Sequence, residues 1–99
     1  MTKFSIESYD AFFEAVLRLK TVEEARDFFD DVFTLKELDA ISQRLEVASM
    51  LKDGKNYQEI SKATGASTAT ISRVNKCLLY GGGGYATALD RLTEEKENG

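Results

Sequence analysis

The chain has no histidine, no proline and a single cysteine in 99 residues. With Cys77 alone and no histidine, neither a zinc-finger ligand set nor a Cys–His nucleophile pair can be assembled. An internal disulfide is equally excluded, which fits a reducing compartment. No apolar run approaches the length of a membrane span, and the first residues lack the basic-then-apolar order of a secretory leader. The expectation is a soluble, unprocessed, cytoplasmic chain without membrane contact. Carboxylates are plentiful, yet no arrangement of them is recognisable as catalytic. Non-enzymatic function is therefore expected, with no catalytic residue, no metal and no cofactor.

What is present is unevenly charged. The whole chain carries 13 basic and 17 acidic residues, a net charge of −4. Residues 1–54 hold 7 basic against 12 acidic side chains, and residues 81–99 add a further −2. Between them, residues 55–80 carry Lys55, Lys62, Arg73 and Lys76 against Glu59 alone, giving +3. An acidic total argues against a nucleic-acid partner, but contact is made by a face, so the local excess is the better guide.

Helix signals recur along the sequence, and no alternating run marks a strand. Ser5 or Ser8 can open a first helix to about Leu19, with Phe12, Ala15, Val16 and Leu19 at helical spacing. Thr21-Val-Glu-Glu24 and Thr34-Leu-Lys-Glu37 are capping boxes for a second and a third. The third runs to about Asp53 along a stripe of Leu35, Leu38, Ile41, Leu45, Ala48 and Leu51, widened by Val47 and Met50. Gly54 closes it. Two shorter helices follow, over about Tyr57–Thr64 and Thr68–Tyr80. The run Gly81–Gly84 breaks the chain before a last helix from about Tyr85 to Glu95, with a frayed polar end. The expected fold is thus all-α, about six helices in a single domain. Residues 1–54 would dimerise, 55–80 form a helix-turn-helix and 85–96 the C-terminal helix. The phenylalanine-rich first helices favour burial across a homodimer interface.

The segment Tyr57–Leu78 carries the functional signal. Ile60 and Ala63 or Thr64 face inward from its first helix. Gly65 makes the turn, Ala66 permits close approach, and Ser67 can cap the second helix. On a wheel of about 100° per residue, Ile71, Val74 and Leu78 share the buried arc. Ala69, Ser72, Arg73 and Lys76 fall opposite, with Thr68 at the exposed start. A low, hydroxylic and basic outer face is what a helix in the major groove requires. Thr68, Ala69, Ser72 and Arg73 are the candidates for base edges, and Gln58, Lys62, Thr70 and Lys76 for the backbone of double-stranded DNA. Tyr57 and Tyr80 flank the motif, where each can pack its ring or reach a phosphate. Cys77 lies beside the buried arc, where a lone cysteine usually acts as a small hydrophobe.

From Thr34 to about Leu92 the sequence resembles the Trp repressor superfamily, and especially its YerC/YecD branch. The stretch FTLKELDAISQRLEVASMLKDGKNYQEISKATGASTATISRVNKCL carries the likeness, with TGASTATISR its most specific part. The resemblance implies an interlocked homodimer with a helix-turn-helix on each subunit. It also implies a ligand pocket in members that take L-tryptophan as corepressor. Arg44 matches the arginine that stacks on the indole, and Thr34 another pocket position. Arg73 matches the arginine that meets the ligand's carboxylate. The next residue is glycine in the tryptophan binder and Val74 here, while Cys77 replaces a hydroxyl residue. A branched side chain fills the space for the ring, so a tryptophan switch is not expected. Arg44 and Arg73 would then serve phosphate contact or internal ion pairing. Whether another small molecule acts as effector stays open.

Two function classes share this pattern. One is a sequence-specific, homodimeric transcriptional regulator, a repressor acting by occlusion of a palindromic operator. The other is a dimeric helical adaptor whose helix-turn-helix meets protein. Only the first binds duplex DNA with a steep loss on adding salt.

Overall fold

The computed structural model describes residues 6–98, and side chains over 7–94. Among the described residues there are six helices and no strand: α1 (Ile6–Leu17), α2 (Val22–Val32), α3 (Leu35–Lys52), α4 (Tyr57–Thr64), α5 (Thr68–Tyr80) and α6 (Gly84–Asn98). The described helix α1 begins at Ile6, and the alternative start at Ser5 lies outside the described residues. Its regular part stops at Leu17. Two i→i−3 bonds, from Arg18 N–H to Ala15 and from Leu19 N–H to Val16, tighten the final turn as far as Leu19. At the other end α6 runs past Glu95 to Asn98, so the polar end expected to fray is helical.

The caps explain where the other helices begin. The Thr34 hydroxyl accepts the Glu37 N–H at 3.1 Å, and the Glu37 carboxylate accepts the Thr34 N–H at 2.8 Å. The Thr21 box closes differently. Thr21 accepts the Glu24 N–H at 3.0 Å, but the Glu24 carboxylate reaches one residue further, to the Lys20 N–H at 2.8 Å. Helix α4 has a complete box of its own, from Asn56 and Glu59. After α3, Gly54 adopts φ +83°. This lets the Lys55 N–H bond back to the Met50 carbonyl at 3.0 Å, satisfying a carbonyl the helix end leaves free.

The chain divides into two compact units, Met1–Leu38 and Asp39–Gly99, which part within α3. The first holds α1 and α2 together through aromatic rings. Phe12 lies 5.9 Å from Phe28 and 6.3 Å from Phe29, and Phe33 stacks on Phe29 at 5.5 Å. Such pairs add about 0.5–1.5 kcal/mol each beyond the area they bury. No described residue of this unit is buried, however, and Phe13, Leu17, Val22 and Leu35 are largely exposed.

The second unit contains the core. Val47 and Ala48 of α3, Ile60 of α4, Ala66, Ile71 and Val74 of α5 and its turn, and Leu89 of α6 are buried together. Met50, Leu51, Tyr57, Leu78 and Tyr85 close its edges. The α3 stripe is narrower than its apolar spacing predicts, because Ile41 and Leu45 are exposed at 44% and 38%. The inward face of α3 in this unit is set by Val47 and Ala48, with Met50 and Leu51 half-buried beside them, while Ile41 and Leu45 stay exposed.

Ile60 has no exposed surface and packs from α4 against both neighbouring helices. Ile60→Ala should lower the unfolding free energy by about 2–5 kcal/mol, read as a reduced urea midpoint at unchanged slope.

Candidate nucleic-acid interface

Helix α4 ends at Thr64 because Gly65 turns left-handed, at φ 77° and ψ 3°. The Gly65 N–H donates to the Ser61 carbonyl at 2.8 Å, closing the last turn. A Cβ at Gly65 would meet only the Gln43 side chain, 4.0 Å away. Backbone conformation, not space, therefore calls for glycine here. Ala66 follows at 2% exposure, and a larger side chain there would push the two helices apart. Side chains then knit the turn. Ser61 Oγ donates to the Ala66 carbonyl at 2.9 Å, Thr64 Oγ1 donates to the Ile60 carbonyl at 2.7 Å, and the Ala66 N–H donates to Thr64 Oγ1 at 3.1 Å.

Ser67 starts α5 by accepting the Thr70 N–H at 3.1 Å, and its hydroxyl lies 3.1 Å from Thr70 Oγ1. With Ile71 and Val74 buried and Leu78 half-buried, the rotation of α5 is fixed. Thr68, Ala69, Ser72, Arg73 and Lys76 are consequently exposed, as are Gln58 and Lys62 on α4. Thr70 differs: it is half-buried and its hydroxyl is engaged by Ser67. Of Ala63 and Thr64, the half-buried inward residue is Thr64.

Electrostatics single out the same segment. Lys55, Lys62, Arg73 and Lys76 are all exposed, and among the described residues none has an ion-pair partner. Ion pairs form elsewhere, between Arg18 and Glu14 at 3.2 Å and between Lys52 and Asp90 at 2.6 Å. The one acid of the segment, Glu59, has its carboxylate turned to the Asn56 N–H at 3.0 Å in the α4 cap. The helix-turn-helix segment thus presents four exposed cations with no acid paired to them among the described residues.

The five residues named for a ligand pocket differ in exposure. Val74 is 1% exposed and belongs to the core. Thr34 spends its hydroxyl on the α3 cap. Arg44 and Arg73 are exposed, and among the described residues neither forms the internal ion pair that is one alternative for them. Cys77 is also exposed, so it is not the tucked-in hydrophobe that its position on the wheel implied. It lines an open groove with Gly81–Gly84, Tyr85 and Ala88. Among the described residues no cluster of acids and cysteine could hold a metal ion, and no helix is long and apolar enough to cross a membrane. Two features were missed in the sequence. The Asn56-Tyr-Gln-Glu59 box was open to the same capping rule as the threonine boxes. Gln43, whose side chain reaches the turn 21 residues away, left no local signal.

The family model described as Trp repressor protein matches residues 7–93. The chain belongs to the Trp repressor family. The match extends over α1 and α2, upstream of Thr34, where the resemblance in sequence was first visible. YerC of Bacillus subtilis (strain 168) is 53% identical over 85 residues, covering 86% of this chain and 82% of that protein. The crystal structure of a TrpR-like protein from Eubacterium eligens ATCC 27750 matches with a TM-score of 0.85 at 49% identity, covering 88% of this chain and 90% of that one. A second solved structure, from Staphylococcus aureus, gives a TM-score of 0.85 at 46% identity, over 88% and 87%. The six-helix Trp repressor-like architecture is therefore shared with solved relatives, and family membership supports a DNA-binding regulator rather than an enzyme.

The left-handed turn is testable within this Trp repressor family chain. Gly65→Ala should cost about 1–2 kcal/mol of stability through backbone strain alone, measured by denaturant unfolding. A substitution at Gly82, where an added Cβ meets nothing within 4 Å, serves as the control and should leave the midpoint nearly unchanged.

Proposed function

We propose that the protein is a homodimeric, sequence-specific DNA-binding transcriptional regulator, a repressor that occludes a palindromic operator. The observation that carries this reading is the outer face of α5, small and hydroxylic at Thr68, Ala69 and Ser72 and basic at Arg73 and Lys76. It follows a left-handed glycine turn and lies in the one segment of net positive charge, four cations against Glu59 alone. Thr68, Ala69, Ser72 and Arg73 would approach base edges. Gln58, Lys62, Thr70 and Lys76 would meet phosphates, Thr70 through whatever capacity its bond to Ser67 leaves. Arg44, exposed and unpaired, is available for a further phosphate.

Dimerisation is supported by the apolar surface that each unit leaves uncovered. Leu17 at 80% and Leu35 at 75% stand out in the first, Leu79 at 63% and Leu92 at 49% in the second. Isolated exposed hydrophobics are ordinary, but apolar positions along α1, α2 and α3 together are not. A second copy bearing the same faces satisfies both under two-fold symmetry, and two-fold symmetry implies half-sites about one helical turn or a multiple apart. The regulator would act in the cytoplasm.

L-Tryptophan is not its corepressor in this reading. The γ-methyls of Val74 occupy core volume that an indole would need, and the core is already closed around them. Selection of bound duplexes from a random pool, with and without tryptophan, tests both ideas. An enriched palindrome with the same yield in the two arms is the expected outcome. Unenriched binding without a salt slope would indicate an adaptor that meets protein instead. On the enriched duplex, Arg73→Ala should weaken binding by about 1–3 kcal/mol while barely affecting random DNA. An equal loss on both would move Arg73 to a phosphate.

A further inference from the structure

We infer that Gln43 of α3 is a positioning residue for the DNA-reading helix, holding the helix-turn-helix at a fixed register without touching DNA itself. The inference rests on the DNA-binding reading above and names a residue that sets its specificity. Gln43 Nε2 donates to the Thr64 carbonyl at 3.1 Å, across 21 residues of sequence. That carbonyl belongs to the last turn of α4, where no helical N–H is available to satisfy it. The other hydrogen bonds of the turn run between residues 60 and 70 and fix its internal shape only. Among the described residues, the Gln43 bond is the single one that ties the turn to α3.

The rest of that junction is apolar. Val47 and Ala48 meet Ile60, Ala66, Ile71 and Val74 through contacts that hold the helices together but have little directional preference. A hydrogen bond weakens steeply as its angle and length depart from ideal, so it selects one placement among those the core would accept. Gln43 also stands one turn before Val47, half-buried on the inward side of α3. A polar residue in that row has a reason to be there only if its amide has a partner. Thr64, the residue it holds, lies four positions before Thr68, so a slip at this point displaces the whole base-facing row.

Gln43→Met keeps the length and bulk of the side chain and removes the donor. It should lower affinity for the duplex enriched by selection by about tenfold, while affinity for a scrambled duplex of equal length and the salt slope stay the same. Amide hydrogen exchange at Gly65 and Ala66 should speed up, with exchange in the middle of α5 unchanged. Should the Met variant fail to fold, Gln43→Asn, one methylene too short to reach, makes the same comparison. Equal losses on the two duplexes, or unchanged turn exchange, overturns the inference. If the wild-type chain fails to discriminate the duplexes, the DNA reading is what fails. The exchange measurement still decides whether Gln43 holds the turn.

Discussion

The helix-turn-helix depends on one packing constraint: two short helices must close on a third around a core with room for very small residues. Ala48 on α3 and Ala66 in the turn lie in that core, both fully or nearly fully buried. Around them Ile60, Ile71, Val47 and Val74 supply bulk, and no buried side chain among those described is polar. Such a core fixes the rotation of α5 completely. Once Ile71 and Val74 point inward, residues 68, 69, 72, 73 and 76 have nowhere to face but solvent. The chemistry of the outer face could then be set independently of stability, which is why small hydroxylic and basic residues can sit there at little cost to folding.

The first unit obeys a different rule. Its phenylalanines touch one another well, with ring separations between 5.5 and 6.3 Å, yet none of its described residues reaches burial. Two helices enclose too little volume to hide both sides of such a cluster. If a second copy completes it, the stability of this unit is inseparable from association. On the dimer reading, folding and association of this part are one process, whereas the second unit owns a core within a single chain.

How much of this was legible in the sequence follows from the range of each interaction. The caps at Thr34 and Ser67, the turn at Gly65 and the buried arc of α5 all arise within a few residues, and all stand as the spacing implied. The Asn56 box obeys the same local rule. Other features depend on what lies opposite in space. Ile41 and Leu45 carry helical spacing yet stay exposed among the described residues, so periodicity overstates the buried stripe of α3. Cys77 sits beside the buried arc on the wheel, yet it borders the glycine segment, whose missing side chains leave it open to solvent. Gln43 is polar in an inward row, and only the carbonyl it meets gives that placement a meaning. Glu24 shows the same effect in miniature, since a carboxylate at the end of a flexible side chain can satisfy either of two neighbouring amides.

Val74 joins the core argument to the functional one. The resemblance to the tryptophan-binding members implies glycine at this position there, leaving space for the ring. Here the volume is filled by the chain itself, at 1% exposure, beside Ile71 and against α3. A void of that kind destabilises the packing around it, by roughly 24 cal/mol for each Å³ left empty. On the function proposed above, the filled core and the Gln43 bond then act in the same direction. Under that proposal both hold α5 at one angle without a small molecule, and the affinity for DNA is built into the fold.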